Sequence, residues 1–230
     1  MFKNSTILLT GGSGYIGGHI STFFAAQGAT VISPSRSECD LSTTGATTKY
    51  LESLHSKGIN LDYIINNAAN QKVENFLTMA PETIAEIMQV NFNAVAETYA
   101  SVKRSSWTVQ SIVNISSIEA VHARAGHSIY GASKAALESL TRSAAIELAP
   151  TRSNALRLGL ISRPGIESSW SEGVDSWRKA TPLLRMGELT DITEALHFLL
   201  TAPWITGEIL TLDGGNSASS NWSSIVTFKG

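Results

Sequence analysis

Tyr130 and Lys134 stand four positions apart in IYGASKAALESL, residues 129–140, at the start of an alanine-rich run with no glycine or proline after Gly131. Four residues is slightly more than one helical turn, so a helix here places the phenol and the ammonium on one face, within reach of the same small volume. A cation beside a phenol favours the phenolate, which makes the pair a candidate for giving and taking a proton. The same spacing also arises where a tyrosine packs and a lysine is solvated, so the pair alone decides nothing.

Two further stretches carry groups that suit a ligand site. TGGSGYIGGHI, residues 10–20, follows a short apolar run and opens a helical pattern. In that context Gly11 allows a tight turn, Gly14 lets backbone approach a pyrophosphate, and Gly17 permits close contact between helix and strand. The helix amino terminus then offers N–H groups and the positive end of its dipole to phosphates. Asn91 shares a stripe with Ile84, Ile87, Met88 and Val95 on a helix expected over 81–103, with Pro81 in its first turn. An amide on an apolar face must find partners, since burying one unsatisfied costs about 1–3 kcal/mol. It either caps backbone groups at a kink or organises a water beside a site.

The elements that must position these groups follow from the apolar pattern. Runs at 6–10, 30–33, 63–65, 111–116, 155–161 and 208–212 are rich in Ile, Val and Leu, as in strands covered on both faces. Helical stretches near 14–27, 81–103, 129–149 and 190–201 alternate with them. This predicts an α/β fold, a Rossmann-type doubly wound parallel sheet, with residues 1–230 as a single domain, which the glycine turn and the Tyr130 and Lys134 pair make a candidate dinucleotide-binding and catalytic domain. After Ser33 the stretch PSRSECDLS leaves no room for a helix, so either the crossover helix is displaced to about 47–58 or a strand is very short, and this edge is expected to be irregular.

Ligands of open α/β sheets bind beyond the carboxyl ends of the strands. There IINNAAN offers Asn67 with two small residues, Ala68 and Ala69, and SIVNISSIEA offers Ser116 and Ser117. Beyond the second strand stand Ser35 and Arg36, a hydroxyl and a guanidinium suited to a 2′-phosphate, so NADP(H) is favoured over NAD(H). Asp40, expected after a short third strand, is placed to accept from an adenine amino group, and Arg36 and Asp40 are equally explained as turn residues.

Composition narrows the classes. With 230 residues, 43% hydrophobic and 16% charged, the chain can bury one sizeable core, and its net charge of −2 offers no field for a nucleic acid backbone. The start MFKNSTILLTGG has neither a signal-like apolar core nor a membrane span, so a cytoplasmic protein without membrane association is expected. Cys39 is the only cysteine and the five histidines have no ligand spacing, so no metal site is expected.

Taken in order, TGGSGYIG (10–17), NNAA (66–69), VNFNA (90–94), IVNISS (112–117), YGASK (130–134) and TGEILTLDGG (206–215) resemble the short-chain dehydrogenase/reductases, in their compact single-domain branch. Ser117 precedes Tyr130 by 13 residues, the family's usual separation, which selects it over Ser116. The resemblance implies an oxidoreductase interconverting a ketone and a secondary alcohol by hydride transfer, with a small carbonyl or alcohol as its substrate. Tyr130 would be the acid or base, Ser117 would bond the substrate oxygen, Lys134 would assist both the phenol and the nicotinamide ribose, and Asn91 would hold a water linking Lys134 to solvent. Cofactor contacts would come from Gly11, Ser13, Gly14, Tyr15 and Ile16, from Ser35, Arg36, Asp40 and Leu41, from Asn67, Ala68 and Ala69, and from Tyr130, Lys134, Gly159 and Ile161.

Three features depart from the pattern. The glycine spacing is that of the family's sugar-nucleotide branch, Leu158-Gly159 replaces the usual Pro-Gly, and the crossover after Arg36 is shortened. The alternatives are therefore a non-catalytic nucleotide-binding regulatory protein and a sugar-nucleotide-modifying enzyme. Residues 163–183 correspond to a substrate lid, in which Trp170, Trp177 and Arg178 are candidates to touch substrate, with His122 and His127 flanking from the loop before Tyr130. The tail 216–230 has no assigned role. By resemblance, a homodimer or homotetramer is expected through helices 81–103 and 129–149, where Ala135, Ala136, Ser139 and Ser143 allow close approach.

Overall fold

A computed structural model of the chain describes residues 2–105 and 107–218. Six strands form one sheet: β1 (Thr6–Leu9), β2 (Thr30–Ile32), β3 (Tyr63–Asn66), β4 (Ser111–Ser117), β5 (Arg152–Leu158) and β6 (Ile209–Leu212). Their spatial order is β2-β1-β3-β4-β5-β6, and every pairing is parallel. Parallel strands require crossovers, and α1 (Tyr15–Ala26), α2 (Ala46–Ser56), α3 (Pro81–Met88), α4 (Ala94–Arg104), α5 (Ser128–Glu147) and α8 (Leu189–Thr201) cover the two faces. Two short helices, α6 (Ile166–Ser169) and α7 (Ser171–Ala180), follow β5.

The strand period of two sorts the aliphatic residues between the faces. Ile7, Leu9, Ile65 and Val113 pack with Ile20, Phe24, Leu196 and Leu199 of α1 and α8. Their neighbours Leu8, Ile64 and Ile112 pack with Leu51, Val95, Tyr99 and Leu137 of α2, α4 and α5. Both faces are thus dry, which explains why the strands are continuously apolar in sequence.

The edge at β2 is irregular. β2 has three residues, the displaced crossover helix is realised as α2, and no strand forms between them, so the expected short third strand is replaced by a turn. Polar groups of that turn satisfy one another: Glu38 Oε2 accepts from the Ser35 amide and hydroxyl, and Asp40 Oδ1 accepts from the Ser42 amide. A sequence that can close such local bonds has little need of a sheet partner. β5 also differs from expectation, beginning and ending three residues earlier, at Arg152 and Leu158.

One buried polar network clamps α5 to the sheet. Asn66 and Asn114 are paired in register, and Asn114 Oδ1 accepts from Asn66 Nδ2 at 2.8 Å. The Asn114 amide donates to Tyr99 Oη of α4 and to Thr141 Oγ1 of α5 at 2.6 and 2.8 Å. These bonds fix the depth at which α5, and so Tyr130, lies on the carboxyl end of the strands. Among the described residues no helix is long and apolar enough to cross a membrane.

Candidate active site

A cleft of about 860 Å³ opens at the carboxyl ends of β1, β3, β4 and β5. Its floor is the glycine turn. Gly11 has φ +70°, and a side chain there would meet Ala68 Cα at 2.9 Å. A Cβ on Gly17 would lie 2.1 Å from the Gly11 carbonyl, so the helix can seat against the turn only with glycine at that position. Thr10 Oγ1 accepts from the amides of Asn67 and Ala68, and Asn67 Nδ2 donates to the Thr10 carbonyl at 3.0 Å, which ties the turn to the loop after β3. Gly14 caps α1 without a side-chain bond, and no acidic residue stands in the first turn. An uncapped helix end facing a cleft lined by a left-handed glycine fits the pyrophosphate of a dinucleotide.

Tyr130 is at the start of α5, 8% exposed, and Lys134 lies one turn on, 2% exposed. They share a face, as the spacing predicts, and Lys134 is not solvated: its Nζ donates to the Ile115 carbonyl at 2.7 Å and lies 5.7 Å from the Tyr130 ring centroid. Burial pushes the ammonium down to about 8, against which Glu138 pulls upward. The phenol is pushed up to about 12, by burial first and then by the Glu119 carboxylate, while a hydrogen bond with Ser117 draws it down. The protein by itself therefore does not bring the phenol toward neutrality.

Ser116 and Ser117 separate cleanly. Ser116 Oγ donates to Glu138 Oε1 at 2.7 Å, whereas Ser117 Oγ accepts only from the Glu119 amide at 3.2 Å and keeps its proton for the phenol or a ligand. Asn91 lies in a wide helical turn, Gln89–Asn93, that joins α3 to α4 and accounts for the amide on the apolar stripe. Its Oδ1 accepts from the Asn70 amide at 2.7 Å, and its Nδ2 donates to the Asn70 carbonyl and to Ser133 Oγ at 3.0 and 2.9 Å. Ser133 in turn donates to the Tyr130 carbonyl at 2.6 Å. Asn91 thus ties the loop after β3 to the first turn of α5.

Of the expected ligand contacts, Gly11, Ser13, Gly14, Tyr15, Ile16, Asn67, Ala68, Ala69, Ser117, Tyr130, Lys134, Gly159 and Ile161 line the cleft. Ser35, Arg36, Asp40, Leu41 and Asn91 are outside that lining. Arg36 Nε pairs with Asp40 Oδ2 at 3.3 Å in the edge turn. Gly159 has a packing reason for being glycine, since a Cβ would lie 2.8 Å from both Asp213 Cβ and Trp177 Cη2. Leu158, which replaces the usual proline, is buried. Ile161 bridges Gly187 through the Leu160 carbonyl and the Ser162 amide, so its own N–H is outside the bridge. Trp170 and His127 line the cleft; Trp177 donates to the Arg185 carbonyl, Arg178 pairs with Glu167, and neither lines it, nor does His122. The tail beyond Ala218 lies outside the described residues.

Sequence reasoning missed Glu138 and Arg157. Glu138 is buried one turn past Lys134, and Arg157 of β5 binds it through Nε at 2.8 Å and Nη2 at 2.6 Å. The signal was present: Glu138 continues the Tyr130, Lys134 row at the same interval, and Arg157 interrupts an aliphatic strand.

A family model described as enoyl-(acyl carrier protein) reductase matches residues 19–217. The chain is 32% identical over 181 residues to carbonyl reductase family member 4 of Xenopus tropicalis, covering 77% of this chain and 75% of the relative. It is 28% identical over 230 residues to L-xylulose reductase of Bos taurus, covering 90% and 94%. Among solved structures, ligand-free aldohexose dehydrogenase of Thermoplasma acidophilum superposes with a TM-score of 0.88 at 25% identity, over 97% of this chain and 98% of that one.

The buried ammonium makes a pH prediction. A lysine near 8 when folded and 10.5 when free binds fewer protons in the folded state between those values, so raising the pH through this window stabilises the fold. Without cofactor, the stability difference between wild type and Lys134→Met should shift toward the wild type by up to about 3 kcal/mol from pH 8 to 10.5, read by urea unfolding. A flat difference across that range would show that the ammonium pays no burial cost.

Proposed function

The chain belongs to the short-chain dehydrogenase/reductase family, and from that premise we propose that it is an NADP(H)-dependent oxidoreductase that interconverts a ketone and a secondary alcohol. The observation that carries this reading is the meeting of Tyr130 and Ser117 at the cleft, with Lys134 buried one turn behind. A bound nicotinamide dinucleotide supplies or accepts the hydride.

The chain's own work is placement and proton handling. Ser117 and Tyr130 both aim hydroxyls at the position of a substrate oxygen, where donors stabilise charge that builds on it. With the phenol near 12, roughly one molecule in 10⁵ is ionised at neutral pH, so Tyr130 stands ready as the acid of carbonyl reduction. Service as a base needs the opposite shift, from cationic charge brought near the phenol. Lys134 is one source, and its seat on the Ile115 carbonyl keeps it from turning away. Asn91 supports the site by position: both of its N–H groups are engaged, which leaves only an Oδ1 lone pair for a water.

The choice of NADP(H) rests on Arg36. Its pair with Asp40 is exposed, and such pairs contribute little, so the guanidinium is free to exchange Asp40 for a 2′-phosphate at small cost. Assembly rests on the outer face of α5, where Ala135, Ser139 and Ser143 are exposed, together with α4.

Tyr130→Phe should lower the turnover of NADPH with a panel of carbonyl compounds by about 10²–10⁴-fold while NADPH still binds; binding without turnover in the wild type would favour a regulatory protein instead. Arg36→Ala should reduce the kcat/KM preference for NADPH over NADH by roughly tenfold, and an unchanged preference removes Arg36 from cofactor choice. Light scattering at micromolar concentration should give a dimer or tetramer mass, and a monomer mass overturns the proposed contact.

A further inference from the structure

The charges around the cleft are one-sided. Arg124, Lys134 and Arg163 line it together with His127, and no aspartate or glutamate does. Lys134 is buried on the Ile115 carbonyl and belongs to the proton chemistry. Arg163 is exposed on the wall that carries Gly159 and Ile161, and makes no ion pair among the described residues, so it suits the phosphates of the dinucleotide. Arg124 remains, on the loop between β4 and α5.

Arg124 is held rather than loose. Glu119 lies under the loop and divides its carboxylate: Oε1 takes Arg124 Nη1 at 3.4 Å and Oε2 takes His127 Nδ1 at 2.9 Å. That leaves Nη2 and Nε of the guanidinium, and Nε2 of the imidazole, without a further bond among the described residues. The guanidinium also lies 4.5 Å from the ring centroid of Trp170, which comes from the opposite wall between α6 and α7. Trp170 can lie back against α7 because position 173 is glycine; a Cβ there would be 1.7 Å from Trp170 Cε2. A guanidinium fixed between an aromatic plane and one carboxylate oxygen, with two donors still unused, is organised for a second, planar anion. The His127 and Tyr130 ring centroids are 6.4 Å apart, so an anion at this cluster and a carbonyl at the phenol belong to one short molecule.

Building on the proposed reaction, we propose that the substrate carries a carboxylate that Arg124 receives, with His127 beside it, so that the substrate class is short oxo acids and the corresponding hydroxy acids. Glu119 is a positioning residue in this arrangement, orienting both groups without touching substrate. The anion would raise the phenol further if left bare, and the guanidinium offsets it.

The test compares acetoacetate, its methyl ester and dihydroxyacetone phosphate as substrates with NADPH, and as ligands by calorimetry on the Tyr130→Phe protein, which keeps them from reacting. The acid should exceed the ester in kcat/KM and in affinity, and Arg124→Gln should lower the acid-to-ester ratio roughly 30-fold, with Arg124→Lys restoring part of it. Equal handling of acid and ester, a ratio indifferent to Arg124→Gln, or a response confined to the phosphate overturns the inference. An acid preference in binding that depends on Arg124, without turnover of any compound by the wild type, leaves the carboxylate site standing and removes the reductase reading instead.

Discussion

Lys134 brings its ammonium to 2.7 Å from the Ile115 carbonyl at a depth where only 2% of the residue is exposed. An ion so placed is costly: burial lowers its basicity, Glu138 opposes that, and the Ile115 carbonyl points it one way. Its carbonyl partner is the backbone of β4, so the ammonium also gauges the distance between α5 and the sheet. The Asn114 network ties the same strand to α5 at a second point, Thr141. A helix held at two depths can neither roll nor slide, and Tyr130, one turn before Lys134, inherits its position from both.

Compensation for the buried cation is itself buried. Glu138 lies one turn beyond Lys134, raises its basicity, and is bound in two-point fashion by Arg157. Ser116 spends its hydroxyl on Glu138, which leaves Ser117 as the serine open to a ligand. A single row at helical spacing, Tyr130, Lys134, Glu138, thus passes from the cleft to the sheet and ends on a neighbouring strand. A second carboxylate, Glu119, acts in the same sense on the phenol, raising it while holding Arg124 and His127. The site is therefore tuned by two acids that do not line the cleft.

Much of this was readable in order along the chain. Aliphatic runs covered on both faces gave the parallel sheet, and the glycine turn announced a tight passage from strand to helix, because a side chain at position 11 or 17 would collide with neighbouring backbone. The Tyr130 and Lys134 pair was legible because four residues is a fixed displacement on a helix. The edge after β2 was legible only as irregular: whether Ser35, Glu38, Arg36 and Asp40 would pair within a turn or support another strand depends on which bonds close locally.

The sequence by itself determined the periodicities: which residues face inward on strands, which share a helix face, and where the chain must turn tightly. These are local, set by backbone geometry within a few residues. Tertiary structure alone decided how residues far apart in the chain share charge: Glu138 with Arg157, Asn91 with Asn70 and Ser133, Arg124 with Trp170 across the cleft. It also decided that burial and Glu119 outweigh Ser117 in setting the phenol, since desolvation depends on everything packed around a group and no spacing encodes it.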